Sequence, residues 1–289
     1  MYFKGLLFRY INFACYEIIL PNGKEIVIDP CHAMKHPANP KINMSGYEVN
    51  FECSDYKGAD YVLISHTHGD HTLDLGYLVE NYHPKVVVGA MSAQALAEAY
   101  NIPLSELYPM FPNEKLEFED FTVEVFRGKH TFPRGLNNTI GYKKAHPMDA
   151  EKTDADIEAG YMGSIEYCNY LITTKENLRI YIMGGQPNSY YFYNDFSVCR
   201  EKAPNIVFKQ SSSKYTPEEF AETLDTFGGQ LVLPGHPDGL LRSPIGCTKD
   251  EWFEKVNTHL EEIGSTTRVL DPVPLKWYKV GFALEETEN

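Results

Sequence analysis

The sequence predicts an α/β fold, and three observations support this class. Apolar segments of strand length alternate with longer segments of helical composition. Asparagine, glycine and proline separate these segments, as turns between elements require. With 289 residues, of which 43% are hydrophobic, the chain is long enough to bury a sizeable core.

The N-terminal third predicts a β-rich start and then a β-α-β unit. Asn22-Gly23 lies within a stretch rich in Phe, Tyr and Ile, and this dipeptide is a strong hairpin signal. The apolar run that follows residue 58 fits a strand buried on both faces. We expect strands within 6–29, a long loop over 32–58, a strand over 59–65, a helix over 70–80 and a strand over 85–88.

The remainder of the chain predicts further elements of the same kinds. Thr216 followed by Pro217 and two acidic residues is typical of a helix N-terminus. No repeat or low-complexity linker divides the chain, so we expect one domain over residues 1–289, built of two similar halves. The predicted elements are a helix over 92–100, a strand pair within 115–127, a hairpin over 167–173 and 178–183, a helix over 217–227, a strand over 230–233 and a helix over 252–263.

The charge balance excludes some classes of partner. The chain has 26 Lys and Arg against 40 Asp and Glu, a formal net charge of −14, and no run of like charges forms a tail. Such a surface repels phosphate backbones and anionic headgroups. We therefore expect neither nucleic acid nor membrane as a general partner.

The cysteines and the N-terminus predict a cytoplasmic protein. The six cysteines form neither a C-x-x-C pair nor the dense framework of a small secreted domain, so we expect reduced thiols. Lys4, Arg9 and Glu17 interrupt the apolar N-terminal segment, and no small-residue cleavage site follows it.

One motif carries most of the chemistry. The segment 65–72, Ser-His-Thr-His-Gly-Asp-His-Thr, follows the predicted buried strand and places four metal-ligating side chains within six residues: His66, His68, Asp70 and His71. His66 and His68 point the same way at an extended strand end, and a tight turn at Gly69 then directs the other two to a neighbouring position. Two adjacent metal sites are therefore predicted.

The ligand types indicate which metals are expected. Imidazole and carboxylate without thiolate suit zinc, iron or manganese in a catalytic site that keeps a coordination position for water. The alternative is that these histidines cap a helix or lie on a solvated turn.

The pattern H-x-H-x-D-H after a buried strand resembles the metallo-β-lactamase superfamily. The resemblance implies a four-layer αββα sandwich, with two mixed sheets face to face and the ligands on loops at one edge. It also implies that Asp29, at the end of an earlier strand, orients a ligating histidine from outside the metal shell. Asp29 is otherwise a turn residue before Pro30.

Two later histidines complete the ligand set that the resemblance implies. His130 lies 64 residues beyond His66 and would join His66 and His68 in one site. His236 follows a short apolar strand and would join Asp70 and His71 in the other. Taken alone, either histidine is more typical of an ordinary surface or core position.

The sequence departs from the superfamily pattern at one position. A Gly-Asp pair normally supplies a carboxylate that bridges both metals, but this chain has Gly184-Gly185 there. We therefore expect a weakened site or an altered metal preference, with one or two ions per chain. Gln186, Asn188 or Asp195 could replace the bridge, although each is also an ordinary loop residue. For His32, His36 and His146 a solvated loop position is expected rather than a ligand role.

The resulting hypothesis is a metal-dependent hydrolase that uses activated water on an ester, lactone or phosphodiester bond of a small molecule. Asp70 is the expected acid/base. Arg134 and Arg242 are candidate anion anchors, and both are equally consistent with a solvated surface position.

The early strand pattern and the length are similar to the ascorbate 6-phosphate lactonase branch of the superfamily. Neither the added RNA-binding modules of its nucleases nor the flavin domain of its flavodiiron members fits this acidic chain. The alternative is a degenerate protein of the same fold that binds a metal or metabolite without turnover. A homo-oligomer is compatible with the 20 tyrosines and 16 phenylalanines, which can form a core, a substrate wall or an interface.

Overall fold

In the part of the chain that the structure describes, the strands form two seven-stranded sheets and a two-stranded ribbon. The computed structural model describes residues 5–36, 39–44, 47–128, 167–183, 200–242 and 244–281. In chain order the strands are β1 Leu6–Tyr10, β2 Tyr16–Ile19, β3 Glu25–Ile28, β4 Lys35–His36, β5 Asn39–Asn43, β6 Tyr61–Ile64, β7 Lys85–Gly89, β8 Leu107–Met110, β9 Lys115–Glu117, β10 Phe121–Arg127, β11 Cys168–Thr174, β12 Arg179–Met183, β13 Ile206–Gln210, β14 Leu231–Gly235, β15 Arg268–Val269 and β16 Trp277–Val280.

Both sheets are mixed, with one antiparallel half and one parallel half. The first sheet has the order β16-β1-β2-β3-β6-β7-β8, and it is antiparallel as far as β3 and parallel beyond it. The second has the order β15-β14-β13-β12-β11-β10-β9, parallel as far as β12 and antiparallel beyond it. Parallel strands need crossover connections. Helices lie in several of these connections, whereas the β4–β5 ribbon and a 3-10 turn lie between β3 and β6.

Helices cover the outer faces of the sheets. Within the described ranges the helices are α1 Leu75–Tyr82, α2 Ala90–Tyr100, α3 Pro217–Phe227, α4 Asp238–Arg242 and α5 Lys249–Glu262. Helices α1 and α2 share an apolar cluster with the first sheet, and α3 to α5 share one with the second. None of the helices in the described ranges is long and apolar enough to cross a membrane.

A third apolar cluster lies between the two sheets. Phe8 and Tyr16 of the first sheet contact Phe208 of the second, with ring centroids 6.4 and 4.2 Å apart. Val207, the neighbour of Phe208 on β13, belongs instead to the cluster under the helices, as the alternation of side chains along a strand requires. The predicted αββα sandwich with two mixed sheets is confirmed.

Some predicted elements differ from the observed ones. The helix expected from Asp70 begins at Leu75, because a 3-10 turn over Gly69–His71 comes first. The long loop expected over 32–58 contains the β4–β5 ribbon and a 3-10 turn over Cys53–Asp55. Four strands, β8, β13, β15 and β16, and the short helix α4 were not predicted, and each is at most five residues long.

Candidate metal centre

The predicted ligands lie where strands of both sheets end. Asp29 directly follows β3 and His66 closely follows β6, its parallel neighbour in the first sheet. His236 directly follows β14 of the second sheet. Since the carboxyl ends of parallel strands meet at one edge, this arrangement collects side chains that are distant in sequence.

Close backbone contacts join the two sheets beside His236. The amide of His236 donates to the Phe13 carbonyl at 2.6 Å, and the Tyr16 hydroxyl donates to the Pro234 carbonyl at 2.8 Å. A Cβ on Gly235 would lie 3.3 Å from the Phe13 oxygen, so a glycine suits this close approach. These contacts bring His236 to the ligands carried by the first sheet.

His71, His236 and Asp70 form one candidate metal-binding group. The Nε2 atoms of His71 and His236 lie 3.1 Å apart. One carboxylate oxygen of Asp70 is 3.8 Å from His71 Nε2, and the other is 3.8 Å from His236 Nε2. The His71 side chain is 2% exposed and that of Asp70 is 26% exposed, so the group extends from the buried interior to solvent.

His66 and His68 form a second group beside the first. His66 Nε2 lies 2.9 Å from His68 Nδ1, as expected for side chains two residues apart in an extended segment. The ring centroids of His66 and His71 are 3.8 Å apart, so the two groups adjoin. The structure therefore brings together five of the six predicted ligands.

Asp29 lies beneath these histidines and is fully buried. Its carboxylate accepts hydrogen bonds from the Ser65 amide at 2.7 Å and the Ser65 hydroxyl at 2.6 Å. It also lies 2.8 Å from His71 Nδ1. The Ser65 hydroxyl is in turn 3.1 Å from His66 Nδ1, so Asp29 contacts one histidine directly and a second through Ser65.

Asp238 faces Nδ1 of His236, as Asp29 faces Nδ1 of His71. Its carboxylate is 3.0 Å from His236 Nδ1. Burial lowers the pKa of His236, but the hydrogen bond and charge of Asp238, together with the charges of Asp70 and Asp29, outweigh it and leave the pKa raised. Sequence reasoning missed Asp238, although its position two residues after a candidate ligand was a usable signal.

The donor set fits a divalent cation. The Nδ1 atoms of His71 and His236 each face a carboxylate, which favours the tautomer with the proton on Nδ1. Both Nε2 atoms then present lone pairs to each other at 3.1 Å, an arrangement that a shared cation stabilises. Carboxylates that hold the outer nitrogen of ligating histidines are a common feature of metal sites.

Tyr167 is a further residue of this site that sequence reasoning missed. Its hydroxyl lies 2.9 Å from His66 Nε2, and its ring stacks on the His66 ring with centroids 4.0 Å apart. Burial, reinforced by the charges of Asp70 and Asp29, raises the pKa of Tyr167 well above its usual value, so the phenol stays protonated. No short motif marks this tyrosine in the sequence.

The role expected of Gly69 needs correction. The turn that directs Asp70 and His71 is a 3-10 turn, and Gly69 is not among the residues with positive φ. A Cβ at this position would make an ordinary 3.6 Å contact with the methyl group of Met34. The turn therefore does not depend on the conformational freedom of glycine.

Several predicted residues lie outside the described part of the chain. They are His130, Arg134, His146, Gly185, Gln186, Asn188 and Asp195. His36 and Arg242 lie in described elements, but their side chains are not described. His32 is described, and its ring contacts Asp74 rather than the candidate metal centre.

Comparison with known proteins agrees with this geometry. Residues 24–167, about half of the chain, match the family described as the Beta-lactamase superfamily domain. This range includes Asp29 and the whole His66–His71 motif. The chain belongs to the metallo-β-lactamase superfamily. The membership that the motif predicted is thus confirmed.

One curated protein is similar to part of the chain. It is a UPF0173 metal-dependent hydrolase of Koribacter versatilis, 31% identical over 84 residues. The match covers 29% of this chain and 31% of that protein, so the chain spans less than a third of the curated relative's length.

Solved structures share the superfamily fold over nearly the whole chain. Igni18, described as a novel metallo hydrolase from Ignicoccus hospitalis, has a TM-score of 0.65 at 15% identity, covering 96% of this chain and 99% of that one. An isothiocyanate hydrolase from Delia radicum gut bacteria has a TM-score of 0.63 at 17% identity, with the same coverage. At these identities the likeness establishes the metallo-β-lactamase fold.

Proposed function

We propose that this protein is a metal-dependent hydrolase that cleaves an ester, lactone or phosphodiester bond of a small molecule. The observation that carries the proposal is the pair of Nε2 atoms of His71 and His236, 3.1 Å apart beside the Asp70 carboxylate. Relatives of this fold named as metal-dependent or metallo hydrolases support the same reaction class.

The ligand assignment follows the two groups of side chains. Asp70, His71 and His236 would hold one ion, and His66 and His68, with His130, would hold the other. A divalent cation bound there, most simply zinc and otherwise manganese or iron, activates water as the nucleophile and polarises the oxygen of the bond under attack.

The chain's own residues supply the rest of the chemistry. The Asp70 carboxylate is partly exposed and faces both Nε2 atoms, so it is placed to accept the proton that the attacking water loses. Tyr167 remains a neutral phenol and can donate to an oxygen that gains negative charge. Asp29 and Asp238 hold His71 and His236 in the ligating tautomer.

The acidic character of the chain favours a small substrate over a polyanion. A net charge of −14 opposes binding of nucleic acid and of anionic membranes. We place the protein in the cytoplasm. Arg134 and Arg242 remain the candidate anchors for an anionic group of the substrate.

Turnover of chromogenic substrates tests the proposal. Protein freed of metal with a chelator should be inactive on p-nitrophenyl acetate, a fluorogenic lactone and bis(p-nitrophenyl) phosphate, and zinc, manganese or iron should restore activity on at least one of them. His71→Ala and His236→Ala should each reduce kcat/KM by about 100-fold or more. His83→Ala, a change at an exposed histidine, is the matched control and should have no effect.

One sequence feature favours a second candidate function. Gly185 occupies the position of the bridging aspartate, and a site with less negative charge binds two cations less well. A protein that binds metal or a metabolite without turnover would remain inactive on all three substrate classes even after it is fully loaded with metal.

A further inference from the structure

A second cluster of metal-ligating side chains lies outside the candidate metal centre. It consists of His32 after β3, Cys53 in the 3-10 turn before β6, and Asp74 at the N-terminus of α1. One ligand atom from each side chain lies within 4.8 Å of the other two. The cluster shares no residue with the candidate metal centre.

The distances within this cluster are within about half an ångström of those of a tetrahedral ion site. His32 Nδ1 lies 2.9 Å from Asp74 Oδ1 and 3.9 Å from Cys53 Sγ. Zinc bonds of about 2.0–2.1 Å to nitrogen and oxygen and about 2.3 Å to sulfur, at tetrahedral angles, separate nitrogen from oxygen by about 3.3 Å and nitrogen from sulfur by about 3.6 Å. Shifts of a few tenths of an ångström would convert the observed distances into those of a zinc site.

Neighbouring groups hold these side chains in place. Asp74 Oδ2 accepts hydrogen bonds from the Tyr56 hydroxyl and the His32 amide, both at 2.8 Å. The Asn12 amide group donates to the His32 carbonyl at 2.8 Å. Such outer contacts orient ligands in metal sites.

A cysteine nucleophile is the rival interpretation, and the geometry disfavours it. Cys53 and Asp74 both face Nδ1 of His32, whereas a catalytic histidine contacts the nucleophile and the carboxylate through opposite ring nitrogens. Burial, with the charge of Asp74, raises the pKa of the Cys53 thiol to about 12, so the free thiol is a poor nucleophile.

We propose that His32 Nδ1, Cys53 Sγ and Asp74 Oδ1 bind one ion of the zinc class, with water in the fourth position. The ion displaces the proton that Asp74 favours on His32 Nδ1 and the proton of the Cys53 thiol, and both are released to solvent. Thiolate, imidazole and carboxylate together select a borderline cation rather than magnesium or calcium. The His32 side chain is 20% exposed, so an ion and a water molecule can reach the cluster from solvent.

The bound ion has a structural role in this proposal. The Asp74 amide donates to the Pro30 carbonyl at 3.0 Å, which links the segment after β3 to the segment before α1. Asp29 adjoins the first of these segments, and His71 lies three residues before Asp74 in the second. An ion at His32, Cys53 and Asp74 would therefore brace the loops that carry two residues of the candidate metal centre.

Cobalt(II) titration of the metal-free full-length protein tests this site. A sulfur ligand gives cobalt(II) a charge-transfer absorption in the near ultraviolet, and none of the six predicted ligands of the candidate metal centre contains sulfur. We expect this absorption in the wild type and its loss in Cys53→Ser. Cys247→Ser, a change at another partly exposed cysteine, should retain it.

Further variants separate this proposal from the proposed function. The double variant His71→Ala/His236→Ala should keep the sulfur-to-cobalt absorption, whatever the outcome of the hydrolase assay. His32→Ala should lose it, and the zinc content per chain should fall by about one in Cys53→Ser. Absence of the absorption in the wild type, or its persistence in Cys53→Ser, would overturn the proposal.

Discussion

Asp29 is a buried residue that contacts one candidate ligand histidine directly and a second through Ser65. It contacts Ser65 through two hydrogen bonds and His71 Nδ1 through a third contact. Its φ of 45° lies in the left-handed region, where asparagine and aspartate are the side chains best tolerated after glycine. Asparagine therefore preserves the shape and backbone at this position while removing the charge.

Asp29→Asn should weaken zinc binding about 10- to 100-fold, because the neutral amide no longer increases the basicity of His71. Competition titration with a chromophoric chelator measures this change. Asp60→Asn, at a partly exposed carboxylate that also accepts hydrogen bonds, should bind zinc like the wild type. Equal affinities in all three proteins would contradict the role given to Asp29.

Lys209 is a buried lysine whose ionisation makes the free energy of unfolding depend on pH. It is 1% exposed, its ammonium donates to the Gln210 carbonyl at 2.8 Å, and burial lowers its pKa to about 7. The unfolded state then binds more protons than the folded state between pH 7 and the ordinary lysine pKa of about 10.4, so the free energy of unfolding rises with pH across that window.

Lys209→Met should remove this pH dependence and raise the free energy of unfolding near pH 7 by up to about 4 kcal/mol. Urea denaturation at pH 7, 8 and 9 measures both effects. Lys85→Met, at an exposed position on β7, is the control and should leave the slope against pH unchanged. A wild-type free energy of unfolding that is flat over this range would contradict the prediction.

At the scale of elements, local sequence signals predicted helices best where capping residues define them. Thr216, Pro217 and Glu219 predicted the start of α3, and the structure shows a reciprocal capping box in which the Thr216 hydroxyl accepts from the Glu219 amide at 3.2 Å. The start of α1 was predicted four to five residues early, since nothing in the motif itself distinguishes a 3-10 turn from the first turn of a helix.

Thr216→Ala should lower the free energy of unfolding by about 1 kcal/mol, because the amide of Glu219 loses its acceptor. Thr223→Ala makes the same chemical change in the middle of α3, where the hydroxyl bonds back to the Glu219 carbonyl. It should be neutral or slightly stabilising, since alanine favours helix interiors. Chemical denaturation compares the two variants, and equal losses would rule out the capping effect.

At the scale of the whole molecule, the site exists because strands of both sheets end at the same edge. Two further hydrogen bonds cross between the sheets there: the Cys168 amide donates to the Ser65 carbonyl at 2.9 Å, and the Tyr170 hydroxyl to the Ile64 carbonyl at 2.7 Å. The motif predicted that His66, His68, Asp70 and His71 lie together, because it carries its own spacing. The sandwich and the position of His236 were predicted through the superfamily resemblance.

The supporting residues were harder to predict from the sequence. Tyr167 and Asp238 reach the ligands only after two sheets have packed, and contacts of that kind have no local pattern. The His32–Cys53–Asp74 cluster was missed for the same reason. Cys53 comes 21 positions after His32, and Asp74 comes 21 positions after Cys53. Asp29 was predicted only through the superfamily resemblance.

Crystals grown with zinc and measured at the zinc absorption edge would show whether His71, His236 and Asp70 bind a metal ion together. We expect an anomalous peak about 2.0–2.2 Å from the Nε2 atoms of His71 and His236 and from a carboxylate oxygen of Asp70. A fully zinc-loaded crystal with no peak among these three side chains would contradict it.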